Sequence, residues 1–157
     1  MKKIIVIISL LFQTSLVFGF ELQDFDGSTI NLDDKIGQNK WTLVMFWAHD
    51  CHICKTEAPL YSAFNEKRED VDVIGISIDG YANKKRAQSF MDKNQVTFPS
   101  YITDLTLVSS NYGILTEEAF RGTPTFLLFS PEGKLVGNNP GKLPVAALEE
   151  FIESDPR

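Results

Sequence analysis

The sequence predicts an α/β fold: a central mixed β-sheet flanked by helices, with an extra β-hairpin at its N-terminal edge. Three observations predict it. Trp41–Trp47 is apolar but for Thr42, and Val71–Ile78 is rich in Val and Ile, as expected of strands covered on both faces. Segments with helical spacing follow each of these runs. Near the C-terminus, two short strands flank a Pro131-Glu132-Gly133 turn, and such an antiparallel pair makes the sheet mixed.

Taken in order, Glu21-Leu22-Gln23 and Ser28–Leu32 read as short strands about an Asp24-Phe25-Asp26-Gly27 turn. After Trp41–Trp47 a helix is expected from about His52 to Glu69, kinked by Pro59. Val71–Ile78 is the next strand. Asn83–Asn94 carries Ala87, Phe90 and Met91 at helical spacing, and Leu105–Tyr112 reads as a helix stopped by Gly113. Thr125–Ser130 and Lys134–Val136 form the late hairpin, and Val145–Ile152 a closing helix. Phe90, Phe98, Phe126, Phe129 and Trp47 are expected in the core. With no internal repeat, linker or low-complexity stretch, residues 20–157 form one domain.

Residues 1–19 stand apart. Lys2 and Lys3 precede an apolar run, Ile4–Phe12, broken only by Ser9, and Val17 and Gly19 supply small residues before Phe20. That is the layout of a secretory signal peptide cut before Phe20. The alternative is an uncleaved anchor, but Ile4–Phe20 is at the lower limit of a membrane span. The chain is therefore expected in the periplasm or another extracytoplasmic space. Its formal net charge is −6, so it lacks the basic balance of a nucleic-acid binder. Apolar residues at 43% and charged residues at 23% exclude a disordered or fibrous chain.

An oxidising compartment makes stray thiols a hazard. This chain has two cysteines, Cys51 and Cys54, three apart. A disulfide stabilises mainly by closing a long loop, and this pair closes almost none, so its value must be chemical. Cys51 falls where a buried strand gives way to a helix. The unpaired N–H groups and dipole of a helix start favour thiolate over thiol, and thiolate is the nucleophile. Cys54, one turn along, can reach back and resolve a mixed disulfide.

The stretch Trp47-Ala48-His49-Asp50-Cys51-His52-Ile53-Cys54-Lys55-Thr56-Glu57-Ala58-Pro59 resembles the active-site segment of the TlpA/ResA/CcmG-like thioredoxins. Phe90–Pro99, Arg121-Gly122-Thr123-Pro124-Thr125-Phe126 and Ser130-Pro131-Glu132-Gly133-Lys134 are similar to later landmarks of that family, and the likeness runs from about Glu21 to Glu153. The resemblance implies a thioredoxin-like fold. It implies exported thiol–disulfide exchange with a protein substrate, without a cofactor. It implies a second redox protein, membrane-embedded or soluble, that resets the pair, and action as a reductant, for instance in cytochrome c maturation. It also implies that Pro124 is a cis-proline facing the cysteines and that the backbone of Thr123 pairs with an extended substrate. A monomer is expected.

Several positions depart from the family. Asp50 stands where thioredoxins carry Trp, and its carboxylate would oppose ionisation of Cys51, whereas protonated His49 and His52 would favour it. Ile53 stands in the place of a common Pro, and Met45 in the place of a buried Asp. Asp79, at the end of the next strand, is the candidate proton shuttle for Cys54, with a turn-forming Asp-Gly as the plainer reading. Asp50, Asp79 and His52 are thus candidates for proton transfer or pKa tuning. Glu57 reads as a surface partner of nearby basic groups, and Lys84-Lys85-Arg86 as a solvated helix face.

The main rival is a copper or zinc site built from His49, Cys51, His52 and Cys54. Adjacent side chains on a helix do not face one another, which counts against it. Covalent haem needs His after the second cysteine, where Lys55 stands. A peroxiredoxin-type peroxidase needs a threonine-and-cysteine signature that is absent. A binding module without catalysis would retain its role in Cys51→Ser.

Overall fold

The computed structural model describes residues 19–155, so the expected signal peptide lies almost wholly outside the described residues. In chain order the elements are β1 (Glu21–Gln23), β2 (Thr29–Asn31), β3 (Trp41–Trp47), α1 (His52–Lys67), β4 (Val71–Ser77), α2 (Lys84–Lys93), β5 (Ser100–Ile102), α3 (Leu105–Thr116), β6 (Thr125–Phe129), β7 (Leu135–Pro140) and α4 (Val145–Glu153). The strands form one sheet in the order β2-β1-β5-β4-β3-β6-β7. β3, β4 and β5 are parallel neighbours, while β6, β7 and the β1–β2 hairpin join antiparallel. This is the expected mixed sheet with an N-terminal hairpin.

The pleat of β3 explains how one strand serves two cores. Leu43, Met45 and Trp47 pack with Ala58, Tyr61 and Phe64 of α1, Phe90 of α2 and Leu148 of α4. Val44 and Phe46, pointing to the opposite face, pack with Val108 and Tyr112 of α3 and with Phe20 and Leu22. All seven residues of β3 are buried. Phe90, Phe98, Phe126, Phe129 and Trp47 are buried as expected.

Three elements differ from expectation. The second strand of the late hairpin, β7, runs on to Pro140 rather than ending at Val136, paired with β6 over its length. β5, only three residues long, was not anticipated, yet it joins β4 to the N-terminal hairpin. Its Ser-Tyr-Ile is too short to show alternation. α3 continues through Gly113 to Thr116, because the residue that takes the left-handed conformation is Glu117, at φ 60°, whose N–H caps Gly113 O. No helix among the described residues is long and apolar enough to cross a membrane.

Candidate active site

The site is assembled where strands end. β3 and β4 run parallel and finish together, Trp47 opposite Ser77. Two residues further on, His49 and Asp79 are again side by side. β6 runs the other way along β3, with Thr125 opposite Phe46, so the residues that precede β6 arrive at the same edge. The carboxyl ends of β3 and β4 thus meet the start of β6, and α1 leaves from this edge.

After β3 the chain turns through Ala48–Asp50, closed by Cys51 N–H donating to Ala48 O at 3.1 Å. Cys51 is the N-cap of α1, with extended backbone (φ −69°, ψ 109°). A cap residue satisfies one of the helix's orphan N–H groups with its side chain. Here that acceptor is sulfur: Cys54 N–H donates to Cys51 Sγ at 3.1 Å. Cys51 and Cys54 are joined in a disulfide, with their Cα atoms 5.3 Å apart. Cys51 is half-buried and Cys54 fully buried. When the pair is reduced, the same N–H faces Cys51 sulfur, and a hydrogen bond to a thiolate is stronger than one to a thiol.

The Thr123–Pro124 peptide bond is cis. Pro124 is buried and Thr123 half-buried. The turn is fixed by Thr125 Oγ1–H donating to Gly122 O at 2.6 Å and by Gly141 N–H donating to Pro124 O at 2.8 Å.

Asp79 is engaged with His49. Its Oδ2 accepts from His49 N–H at 3.0 Å and from Ser77 Oγ–H at 2.6 Å, and its Oδ1 lies 2.6 Å from His49 Nδ1. The carboxylate side chain is 5% exposed and the imidazole 27%. The structure gives Asp79 hydrogen bonds to His49 and Ser77, and none to Cys54. Gly80 follows at φ 75°, and Asn83 Nδ2–H donates to Asp79 O, so the turn reading of Asp79-Gly80 holds as well. Asp50, His52 and Ile53 are exposed around the half-buried Cys51.

The four-residue metal cluster does not assemble. Among the described residues, the His, Cys, Asp and Glu side chains whose ligand atoms converge are His49, Asp50 and Asp79. Both cysteines are in the disulfide, and His52, on the first turn of α1, is outside that group. The metal alternative is therefore not supported.

Glu57 corrects the sequence reading. It is fully buried, and neither carboxylate oxygen has a hydrogen-bond partner among the described residues. Its nearest cation is Lys142, Nζ at 3.4 Å from Oε1, on a side chain 63% exposed. Burial, with the Glu57 carboxylate adding to it, pushes the Tyr61 hydroxyl well above the ordinary tyrosine range. The available signal was spacing: Glu57 follows Cys54 by three residues and so shares its helix face. Composition alone, which favours exposed Glu, masked it.

The AhpC/TSA family model matches residues 16–137, more than half of the chain. The chain belongs to the AhpC/TSA family. It is 28% identical over 138 residues to "Thiol-disulfide oxidoreductase ResA" of Halalkalibacterium halodurans, covering 85% of this chain and 72% of the relative. It is 33% identical over 122 residues to "Thioredoxin" of Acidithiobacillus ferridurans, covering 77% and 84%. A solved structure of a secreted Mycobacterium tuberculosis disulfide oxidoreductase homologous to E. coli DsbE superposes with a TM-score of 0.68 at 21% identity, covering 87% of this chain and 96% of that one. That likeness establishes the thioredoxin-like fold. With the Cys51–Cys54 pair at its helix start, this AhpC/TSA member is a thiol–disulfide oxidoreductase.

Proposed function

We propose that this protein is an exported dithiol reductant of protein disulfides. The observation that carries the reading is the Cys54 N–H directed at Cys51 Sγ, with Cys54 itself sealed beneath the helix start. Cys51 is the accessible member and attacks. Its thiolate forms a bond to one sulfur of a substrate disulfide, the substrate S–S bond breaks, and the departing sulfur takes up a proton. Cys54, after losing its proton, attacks Cys51 Sγ. The Cys51–Cys54 bond forms, the second substrate sulfur leaves, and two electrons have passed to the substrate. A second redox protein returns the pair to the dithiol.

Other groups take supporting roles in this proposal. The backbone of Thr123, beside cis Pro124, pairs with the extended substrate chain. Glu57 is the proton acceptor for Cys54, because a buried carboxylate without hydrogen bonds on the same helix face has capacity to spare. His49, oriented by Asp79, handles the proton on the outer face, where the substrate sulfur departs. Asp50 and His52, both exposed, adjust the charge around Cys51.

Direction follows from how well the thiolate is held. A strongly stabilised thiolate makes an oxidant, and a weakly stabilised one a reductant. Among the described residues Cys51 Sγ accepts one hydrogen bond, and the residue before it is an acid. The expected reduction potential is close to about −270 mV, as for thioredoxin, measured by equilibration with a dithiol couple. A value near about −120 mV, typical of a strong oxidant, would overturn the reductant assignment. Residues 1–19 fit a cleaved export signal, and the mass of the mature protein from its native host tests this: an intact chain beginning at Met1 would contradict cleavage.

A further inference from the structure

A basic groove opens beside the disulfide. His49, Lys55, Lys85, Arg86 and Lys93 line one cavity of about 360 Å³, together with Phe90. Lys55 directly follows Cys54 on α1, and Lys85, Arg86 and Lys93 come from α2. Phe90 stacks on Trp47 at 4.7 Å between ring centroids, which ties the groove to the end of β3 where the site begins. His49, two residues before Cys51, and Lys55, next to Cys54, both line it, so the groove lies close in sequence to both sulfurs.

The run Lys84-Lys85-Arg86 is therefore not a uniform solvated face. Lys84 turns to Tyr81, its Nζ 4.4 Å from the ring centroid and 2.8 Å from the hydroxyl. Lys85 and Arg86 face the groove instead. None of Lys55, Lys85, Arg86 and Lys93 forms an ion pair or side-chain hydrogen bond among the described residues. The ion pairs there use Lys40, His49, Lys67, Arg68 and Lys142. The chain carries 21 acidic against 15 basic residues, so carboxylates for pairing are in excess. Four unpaired cations around one hollow repel one another, and folding does not benefit from that arrangement. An anionic occupant does.

We propose that this groove receives an acidic segment of the substrate protein, flanking the disulfide that Cys51 attacks. The proposal rests on the exchange reaction described above and adds a substrate class to it: disulfides with clustered Asp or Glu nearby. Charge in the groove then selects and orients the substrate before chemistry.

The test compares two peptides with the same internal disulfide, one followed by three Glu and the other by three Gln. The reduced protein is expected to exchange with the acidic peptide about tenfold faster in kcat/KM at low ionic strength, with the advantage lost at high salt. Lys85→Glu with Arg86→Glu is expected to abolish or invert the ratio. Lys35→Glu with Lys134→Glu makes the same charge change at the opposite end of the sheet, where Asn39 N–H bonds Pro131 O, and is expected to retain it. Equal rates for the two peptides, or equal loss of preference in both double variants, would overturn the proposal. No exchange with either peptide would instead strike the exchange reading beneath it.

Discussion

At the scale of single residues, the site joins groups the sequence displays openly to groups it conceals. Cys51 and Cys54 are legible because they are the only cysteines and sit at a strand-to-helix change. The partner of Asp79 was not legible, because pairing it with His49 needs the parallel register of β3 and β4, which no local pattern encodes. Asp79→Asn removes the charge and one of the two acceptor oxygens that orient His49. It is expected to slow exchange about ten- to a hundredfold and to change the shape of the pH–rate profile. An unchanged rate across pH would remove Asp79 and His49 from the mechanism. Glu57 was hidden for a different reason: an acid in a polar stretch of helix looks like surface until the helix face is known. A buried carboxylate with one weak cation partner costs stability. Glu57→Leu is expected to raise unfolding stability by about 1–4 kcal/mol while slowing resolution of the mixed disulfide. Denaturant unfolding together with single-turnover exchange checks both, and a loss of stability would make the Lys142 pair structural instead.

At the scale of elements, the strong periodic segments were legible and the short ones were not. β3 and α1 announce themselves by an apolar run and by the cysteine pair. β5 did not, because three residues carry no period. α3 overran its expected stop because burial of Tyr112 and the hydrogen bond from Thr116 Oγ1–H to Tyr112 O carry the helix past Gly113. β4 shows how closely strand and site pack. A Cβ on Gly75 would meet Ser100 Oγ in close contact and lie 2.8 Å from both Phe98 and Trp47 Nε1. Gly75→Ala is therefore expected to destabilise by about 1–3 kcal/mol, read from the denaturation midpoint, by pushing β5 and Trp47 apart. A midpoint equal to that of the parent protein would show that these neighbours yield freely.

At the scale of the whole molecule, the mixed topology explains why one edge carries the chemistry. The parallel pair β3–β4 delivers His49, Cys51 and Asp79 to its carboxyl ends, and antiparallel β6 brings Thr123-Pro124 to the same edge. α2, packed against Trp47 through Phe90, adds the cations beside them. We propose that the two sulfurs divide the labour: the accessible one, capped onto the helix start, attacks, and the buried one resolves. Mass spectrometry of the single-cysteine variants after incubation with a disulfide substrate tests it most directly. Cys54→Ser is expected to accumulate a mixed disulfide through Cys51, and Cys51→Ser to form none. A mixed disulfide through Cys54 in Cys51→Ser, with none in Cys54→Ser, would contradict the account.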